Sequence, residues 1–283
     1  MSIERVGVVG LGTMGAGIAQ VCVQAGFETV GREVNDELAG RGRATIDHYL
    51  SRGVEKGRMT PEQKDETLGW LTLTTDLRAL ADCDLVIEAV VEDIATKAAV
   101  FKELDGLLGP DAILATNTSA LSVTEIADVT NRPERVVGMH FFNPAPVLKL
   151  VEVVRTAHTS DEVFDAAYDF AQRLGKEPIA CNDTPGFVVN RILIPLLNDC
   201  VRVIDEARVA PQDVDRAMTY GANWPIGPCA LIDLIGVDIH VHASEALAGA
   251  LGEERMTPPP RLLRMLEEGT LGRKTGQGFF SYG

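Results

Sequence analysis

Short apolar runs alternate with amphipathic stretches over the first two thirds of the chain. Ile3 to Val9 reads as a strand. Met14 to Gln24 follows with apolar positions at helical spacing and stops at Gly26, and "FETV" is a second short strand. Residues 36–69 are polar and helical in pattern. A strand is predicted over Asp84 to Asp93, then a helix from Ile94 to Leu108. "AILATNTSAL" reads as a strand ending at Asn117, Thr118 and Ser119. A helix near Val123 to Val129 leads to the strand "RVVGMHFF", and "LKLVEVVR" is the next strand. A helix from Asp161 to Leu174 then precedes the strand "PIACND". The alternation predicts an α/β domain built on a mostly parallel sheet with helices on both faces.

The pattern changes after "DTPGF", Asp183 to Phe187. The remaining segments, "GFVVNRILIPLLNDCVRVIDEA", "PQDVDRAMTYGA", "GPCALIDLIGVDIHVHASEALAGAL" and "PPRLLRMLEEG", are helical, with Pro195 placed to kink the first. The expected organisation is therefore a sheet domain over 1–184 and an all-helical domain over 185–283.

The turn after the first strand carries "GLGTMG", with Gly10, Gly12 and Gly15 in the GxGxxG pattern. Strand, glycine turn, helix, strand and an acid, Glu33, stand in the order of a Rossmann-type dinucleotide-binding unit. Gly10 permits the tight turn, Gly12 lets the backbone approach a pyrophosphate, and Gly15 lets helix and strand pack closely. Gly10, Leu11, Gly12, Thr13, Met14 and Gly15 are thus the candidate cradle, with the helix N-terminus aimed at the phosphates. Glu33 is placed for the adenosine ribose hydroxyls. An acid there repels a 2′-phosphate, which favours NAD over NADP, although the adjacent Arg32 keeps NADP as the lesser alternative.

The chain has 283 residues, a net charge of −15 and 46% hydrophobic residues. That charge argues against general nucleic-acid or anionic-membrane binding. Positive charge gathers locally at Arg41, Arg43, Arg52, Lys56 and Arg58, which reads as a solvated helix face or a clamp for a phosphate-rich ligand. Five scattered cysteines without a CxxC read as reduced thiols of a cytosolic protein. The N-terminal residues lack the signal-peptide pattern, and no apolar run reaches membrane-spanning length.

The segment "VVGMHFFNPAPVLKLVEVV" holds the candidate chemistry. Alternation puts Leu148, Leu150, Glu152 and Val154 on one strand face, and a carboxylate on an apolar face calls for a partner. His140, across the turn, is the expected one. Glu152 would accept from one ring nitrogen and leave the other for acid–base work. A buried structural His–Glu pair is the alternative. Ligands of such sheets sit at strand C-terminal ends, where Glu88/Glu92, Asn117/Ser119 and His140/Asn143 cluster.

Together "GLGTMGAGIA", "DLVIEAVVED", "TNTSALSV", "GMHFFNPAPVLKLVEVV", "DTPGFVVNRIL", "GANWPIGPCALIDLIGVD" and "GRKTGQGFFSY" resemble the L-3-hydroxyacyl-CoA dehydrogenases over nearly the whole chain. The resemblance implies hydride transfer between NAD and C3 of a 3-hydroxyacyl-CoA. It implies His140 as general base, or acid in reverse, and Glu152 as its orienting partner. Ser119 and Asn190 would hold substrate oxygens. Glu92, Lys97, Asn117, Asn143 and Lys274 would join the cofactor site, and Arg52 and Lys56 would meet the CoA phosphates. The helical domain would cover the acyl chain and form a homodimer. Glu33 stands where the family usually has Asp, and Gly31 replaces a bulky residue.

Two other readings compete. A β-hydroxyacid dehydrogenase of the 3-hydroxyisobutyrate type shares the glycine turn but uses a helix lysine and lacks "HFFNP". A nucleotide-binding protein that lost catalysis is the second, and the full set of expected catalytic residues disfavours it.

Overall fold

The structure is a computed structural model that describes residues 2–283. The chain divides into two compact units, Met1–Thr184 and Pro185–Gly283.

The first unit is an eight-stranded sheet, in the order β3-β2-β1-β4-β5-β6-β7-β8. The strands are β1 (Arg5–Val9), β2 (Glu28–Arg32), β3 (Leu71–Thr74), β4 (Leu85–Glu88), β5 (Ile113–Thr116), β6 (Val136–Phe141), β7 (Leu150–Arg155) and β8 (Glu177–Asn182). The helices between them are α1 (Thr13–Gln24), α2 (Asp36–Glu55), α3 (Pro61–Gly69), α4 (Ile94–Leu107), α5 (Val123–Ala127) and α6 (Asp161–Arg173). Pairing is parallel from β3 across to β6, antiparallel between β6 and β7, and parallel again between β7 and β8. The mostly parallel α/β expectation holds. The central strands are buried on both faces, as βαβ crossovers require, with Val6, Val8, Leu85, Ile87, Ile113 and Ala115 in one core.

Local chemistry fixes the helix starts. Asn35 caps α2, Asp93 caps α4, Ser122 caps α5 and Ser160 caps α6 through side-chain oxygens. Thr60 and Gln63 form a reciprocal capping box at α3. At α1 the residue before the helix is Gly12, which supplies no side-chain cap, and the first turn holds no acid. The positive end of that helix dipole is left for an anion.

Four sequence-based expectations need correction. The strand predicted over Asp84 to Asp93 ends at Glu88, because the Glu88 carboxylate accepts from Val90 N at 2.7 Å and the chain turns there. The edge strand β3 was not anticipated; its "LTLT" sequence is too short and too mixed in polarity to stand out. β7 begins at Leu150, so Leu148 lies in the preceding loop and is 42% exposed. The long helical segment after Gly227 is two helices, broken at Gly236 with φ 107°.

The second unit is helical: α7 (Val189–Glu206), α8 (Pro211–Arg216), α9 (Pro228–Ile235), α10 (Val237–Leu251) and α11 (Pro260–Glu267). Its core joins Leu197, Val201, Ile232, Val237, Val241 and Leu262. Pro195 lies inside α7 and is buried. Asp233, 1% exposed, accepts from Phe279 N, Phe280 N and the Tyr282 hydroxyl, which pins the C-terminal residues to α9. No helix among the described residues is long and apolar enough to cross a membrane.

Candidate active site

The C-terminal end of β1 turns through Gly10 at φ 87°, a conformation that favours glycine. A Cβ on Gly15 would fall 1.7 Å from the Gly10 carbonyl oxygen, so strand and helix approach closer than any side chain allows. A Cβ on Gly12 would meet nothing within 4 Å, so the outer side of the turn is open. Glu33, one residue beyond β2 and 9% exposed, accepts from Leu11 N at 2.6 Å and from Val34 N at 3.0 Å. Its carboxylate thereby ties the glycine turn to the end of β2. An uncapped helix end, an open glycine turn and a fixed acid suit the pyrophosphate and ribose of a dinucleotide.

A cavity of about 330 Å³ opens beside this turn. Leu11, Gly12, Thr13 and Glu33 line one side; Arg41, Thr45 and Tyr49, on successive turns of α2, line another. Asn143, Pro144 and Val147 complete the wall. The four-residue spacing of Arg41, Thr45 and Tyr49 was the available signal for that face. Arg52 and Lys56, at the end of the same helix, are exposed.

The antiparallel pairing of β6 and β7 sets His140 directly opposite Glu152. His140 Nδ1 lies 2.7 Å from Glu152 Oε2, with the residues 6% and 0% exposed. A carboxylate so deeply placed satisfies its charge through the imidazole, which donates from Nδ1. The Phe142 ring, centroid to centroid 4.4 Å from the imidazole, packs beside it. One residue from that ring, Asn143 is exposed on the cavity wall.

The ends of β4 and β5 bring the next group together. Asn117 Oδ1 accepts from Phe141 N at 2.9 Å, which bridges the ends of β5 and β6. Glu92 Oε1 accepts from Thr118 Oγ1 at 2.6 Å and from Ser119 N at 2.8 Å. Burial pushes the Glu92 carboxyl up, but Lys97 and these donors outweigh it and hold it below the ordinary range. Lys97 is fully buried between Glu88, at 2.8 Å, and Glu92, at 3.5 Å. Any part Lys97 plays toward a cofactor therefore runs through those carboxylates. In the second unit, Asn190 lies in the first turn of α7, and Lys274 is held by both oxygens of Asp238 at 2.5 and 2.6 Å.

Sequence reasoning overlooked Lys176. It is 8% exposed, and its ammonium donates to the carbonyls of Ala145 and Leu148, fixing the loop between β6 and β7. Nothing near it in sequence marks it apart from a surface lysine. Asp183 was also overlooked; it accepts from Ser122 Oγ at 3.0 Å and Thr124 N at 2.7 Å at the start of α5.

An acid-bearing Rossmann turn with an imidazole–carboxylate pair at the far strand ends defines a class, the nicotinamide-dependent dehydrogenases. Comparison with known proteins narrows it. Residues 5–184 match the 3-hydroxyacyl-CoA dehydrogenase NAD binding domain, and residues 186–282 match the C-terminal domain of the same family. A 3-hydroxybutyryl-CoA dehydrogenase of Mycobacterium tuberculosis is 45% identical, covering 99% of each chain. A probable 3-hydroxybutyryl-CoA dehydrogenase of Deinococcus radiodurans is 44% identical over 98% of this chain and 100% of its own. The crystal structure of (S)-3-hydroxybutyryl-CoA dehydrogenase PaaH1 from Ralstonia eutropha superposes with a TM-score of 0.96 at 41% identity, covering 100% of both chains. The chain belongs to the 3-hydroxyacyl-CoA dehydrogenase family, and with that it is an NAD-dependent oxidoreductase. The 3-hydroxyisobutyrate-type alternative is set aside on the same findings.

Proposed function

We propose that the protein interconverts a short-chain L-3-hydroxyacyl-CoA and its 3-oxoacyl-CoA, with 3-hydroxybutyryl-CoA and acetoacetyl-CoA as the substrate pair. The observation that carries this reading is the buried His140–Glu152 pair at 2.7 Å, on the strand ends that such sheets use for ligands. The substrate names come from the relatives that match over the full chain.

When bound, NAD would supply the hydride acceptor, or NADH the donor in reverse. With Nδ1–H held by Glu152, neutral His140 carries its lone pair on Nε2. That atom takes the C3 hydroxyl proton in oxidation and returns it in reduction. Glu152 fixes the tautomer and stabilises the imidazolium while the proton resides there. Ser119 and Asn190 hold substrate oxygens. The turn from Gly10 to Gly15 cradles the pyrophosphate, and Glu33 binds the adenosine ribose. Glu92, Asn117, Ser119 and Asn143 would hold the nicotinamide side, with Lys97 behind Glu92. The exposed Arg52 and Lys56 meet the CoA phosphates. We infer a cytoplasmic homodimer. Five free cysteines and the exposed Ile192, Leu234 and Ile239 of the second unit support that inference.

The test is NADH consumption with acetoacetyl-CoA, with free acetoacetate as control. Loss with the thioester alone is expected. Loss with the free acid as readily, or with neither, overturns the proposal.

A further inference from the structure

A lysine–glutamate ion pair lies fully buried in the first unit. The side chains of Lys97 and Glu88 are both fully buried, with Nζ 2.8 Å from Oε1. Desolvation consumes most of what such a pair gains, so stability alone does not account for it. Its contacts point elsewhere. Glu88 ends β4, and its Oε2 accepts from Thr116 Oγ1 at 2.7 Å, the last residue of β5. Its Oε1 also accepts from Val90 N at 2.7 Å, where the chain leaves the sheet. Lys97 then reaches Glu92 Oε2 at 3.5 Å. Glu92 Oε1 gathers the loop after β5: Thr118 Oγ1, Ser119 N, Ser119 Oγ at 3.2 Å and Ala120 N at 3.2 Å. A continuous chain of charge-assisted contacts therefore runs from the sheet to the Ser119 hydroxyl.

We propose that Glu88 is a positioning residue for the dehydrogenase reaction: acting through Lys97 and Glu92, it fixes where the Ser119 hydroxyl stands. The proposal rests on the reading of Ser119 as a substrate contact. Lys97 is the hinge of the device. Its single ammonium meets both carboxylates, and Glu92 in turn accepts from the backbone and the hydroxyl of Ser119 at once. A rigid first contact carried by a second row of groups is how active sites hold sub-ångström placement.

The experiment is a mutant cycle on the full-length protein. It compares wild type, Ser119→Ala, the paired apolar replacement Glu88→Leu with Lys97→Met, and all three together. The paired replacement removes the two fully buried charges together, and cooperative unfolding in denaturant checks that the fold survives. Turnover of acetoacetyl-CoA by wild type secures the functional reading separately. The paired replacement is expected to lower kcat by on the order of tenfold or more, and by under about twofold when Ser119 is already alanine. Equal losses in both backgrounds, or no loss in either, overturn the proposal, because a merely structural role multiplies independently of Ser119. A Ser119→Ala variant with wild-type kinetics overturns both readings. If the paired replacement does not unfold cooperatively, the half-exposed Glu92→Gln takes its place in the same cycle under the same criterion. Amide exchange at residues 119 and 120 reads the device without turnover. Faster exchange in the paired replacement is expected, and unchanged protection overturns the proposal.

Discussion

Glu152→Gln isolates what a charge contributes behind the imidazole. Volume and shape are nearly conserved, so the buried site keeps its packing. In one orientation the amide oxygen still accepts from His140 Nδ1–H, but no charge remains to meet the imidazolium. In the other, the amide N–H donates to Nδ1 and forces the proton onto Nε2, which blocks the base. The magnitude follows from the contact. The 2.7 Å separation of Nδ1 and Oε2 puts the delocalised charges a few ångströms apart. Two unit charges at about 4 Å with an effective dielectric of about 20 interact by about 4 kcal/mol. At about 1.4 kcal/mol per tenfold, that corresponds to a rate loss of roughly a thousandfold. The assay is steady-state NADH oxidation with acetoacetyl-CoA, with NADH fluorescence titration and thermal unfolding to show that cofactor binding and fold persist. A Glu152→Gln variant within about threefold of wild-type kcat, folded and binding NADH, would refute the reasoning and leave the pair as a structural element.

Further outcomes are expected from other groups. His140→Gln slows turnover by about two to four powers of ten with the fold intact; near-normal rates remove it from the chemistry. Glu33→Ala weakens NAD binding and relaxes its preference over NADP, because the proposed ribose acceptor and the tie to Leu11 N are lost together; an unchanged ratio of the two kcat/KM values counts against the placement. His240, buried and hydrogen-bonded to Asn198, has its pKa lowered by burial from 6.5 to about 4. The unfolded chain takes up that proton first, so stability falls as pH drops from about 6.5 to about 4, by about 3 kcal/mol. His240→Gln flattens that limb in denaturant titrations, and an unchanged pH slope contradicts the assignment. Lys176→Met frees the carbonyls of Ala145 and Leu148 and costs about 1–3 kcal/mol, read as a lower urea midpoint; an unshifted midpoint means that the loop holds without it.

Periodicity and glycine spacing disclosed the dinucleotide unit because each of its demands is local: a turn, a close approach, an uncapped helix. The His140–Glu152 contact was legible for a related reason, since an acid on an apolar strand face implies a neighbour, and a short turn limits the choice. Two failures share a different cause. The end of β4 is set by Glu88 folding back on Val90 N, and the start of β7 by Lys176 holding the Leu148 carbonyl. In each case a charged side chain meets a partner that no sequence period announces. Such residues look like ordinary surface charges until the fold brings their partners to them.

The His140–Glu152 pair has a consequence for how the sequence can vary. Both residues ride on one hairpin, face to face in register, so the pleat itself sets their separation. A single insertion or deletion within β6 or β7 would carry one of them to the opposite side of the sheet, and no side-chain adjustment could bring it back. Changes of length must therefore fall outside the two strands. The hairpin behaves as a unit of fixed length, with its chemistry written into the parity of strand positions.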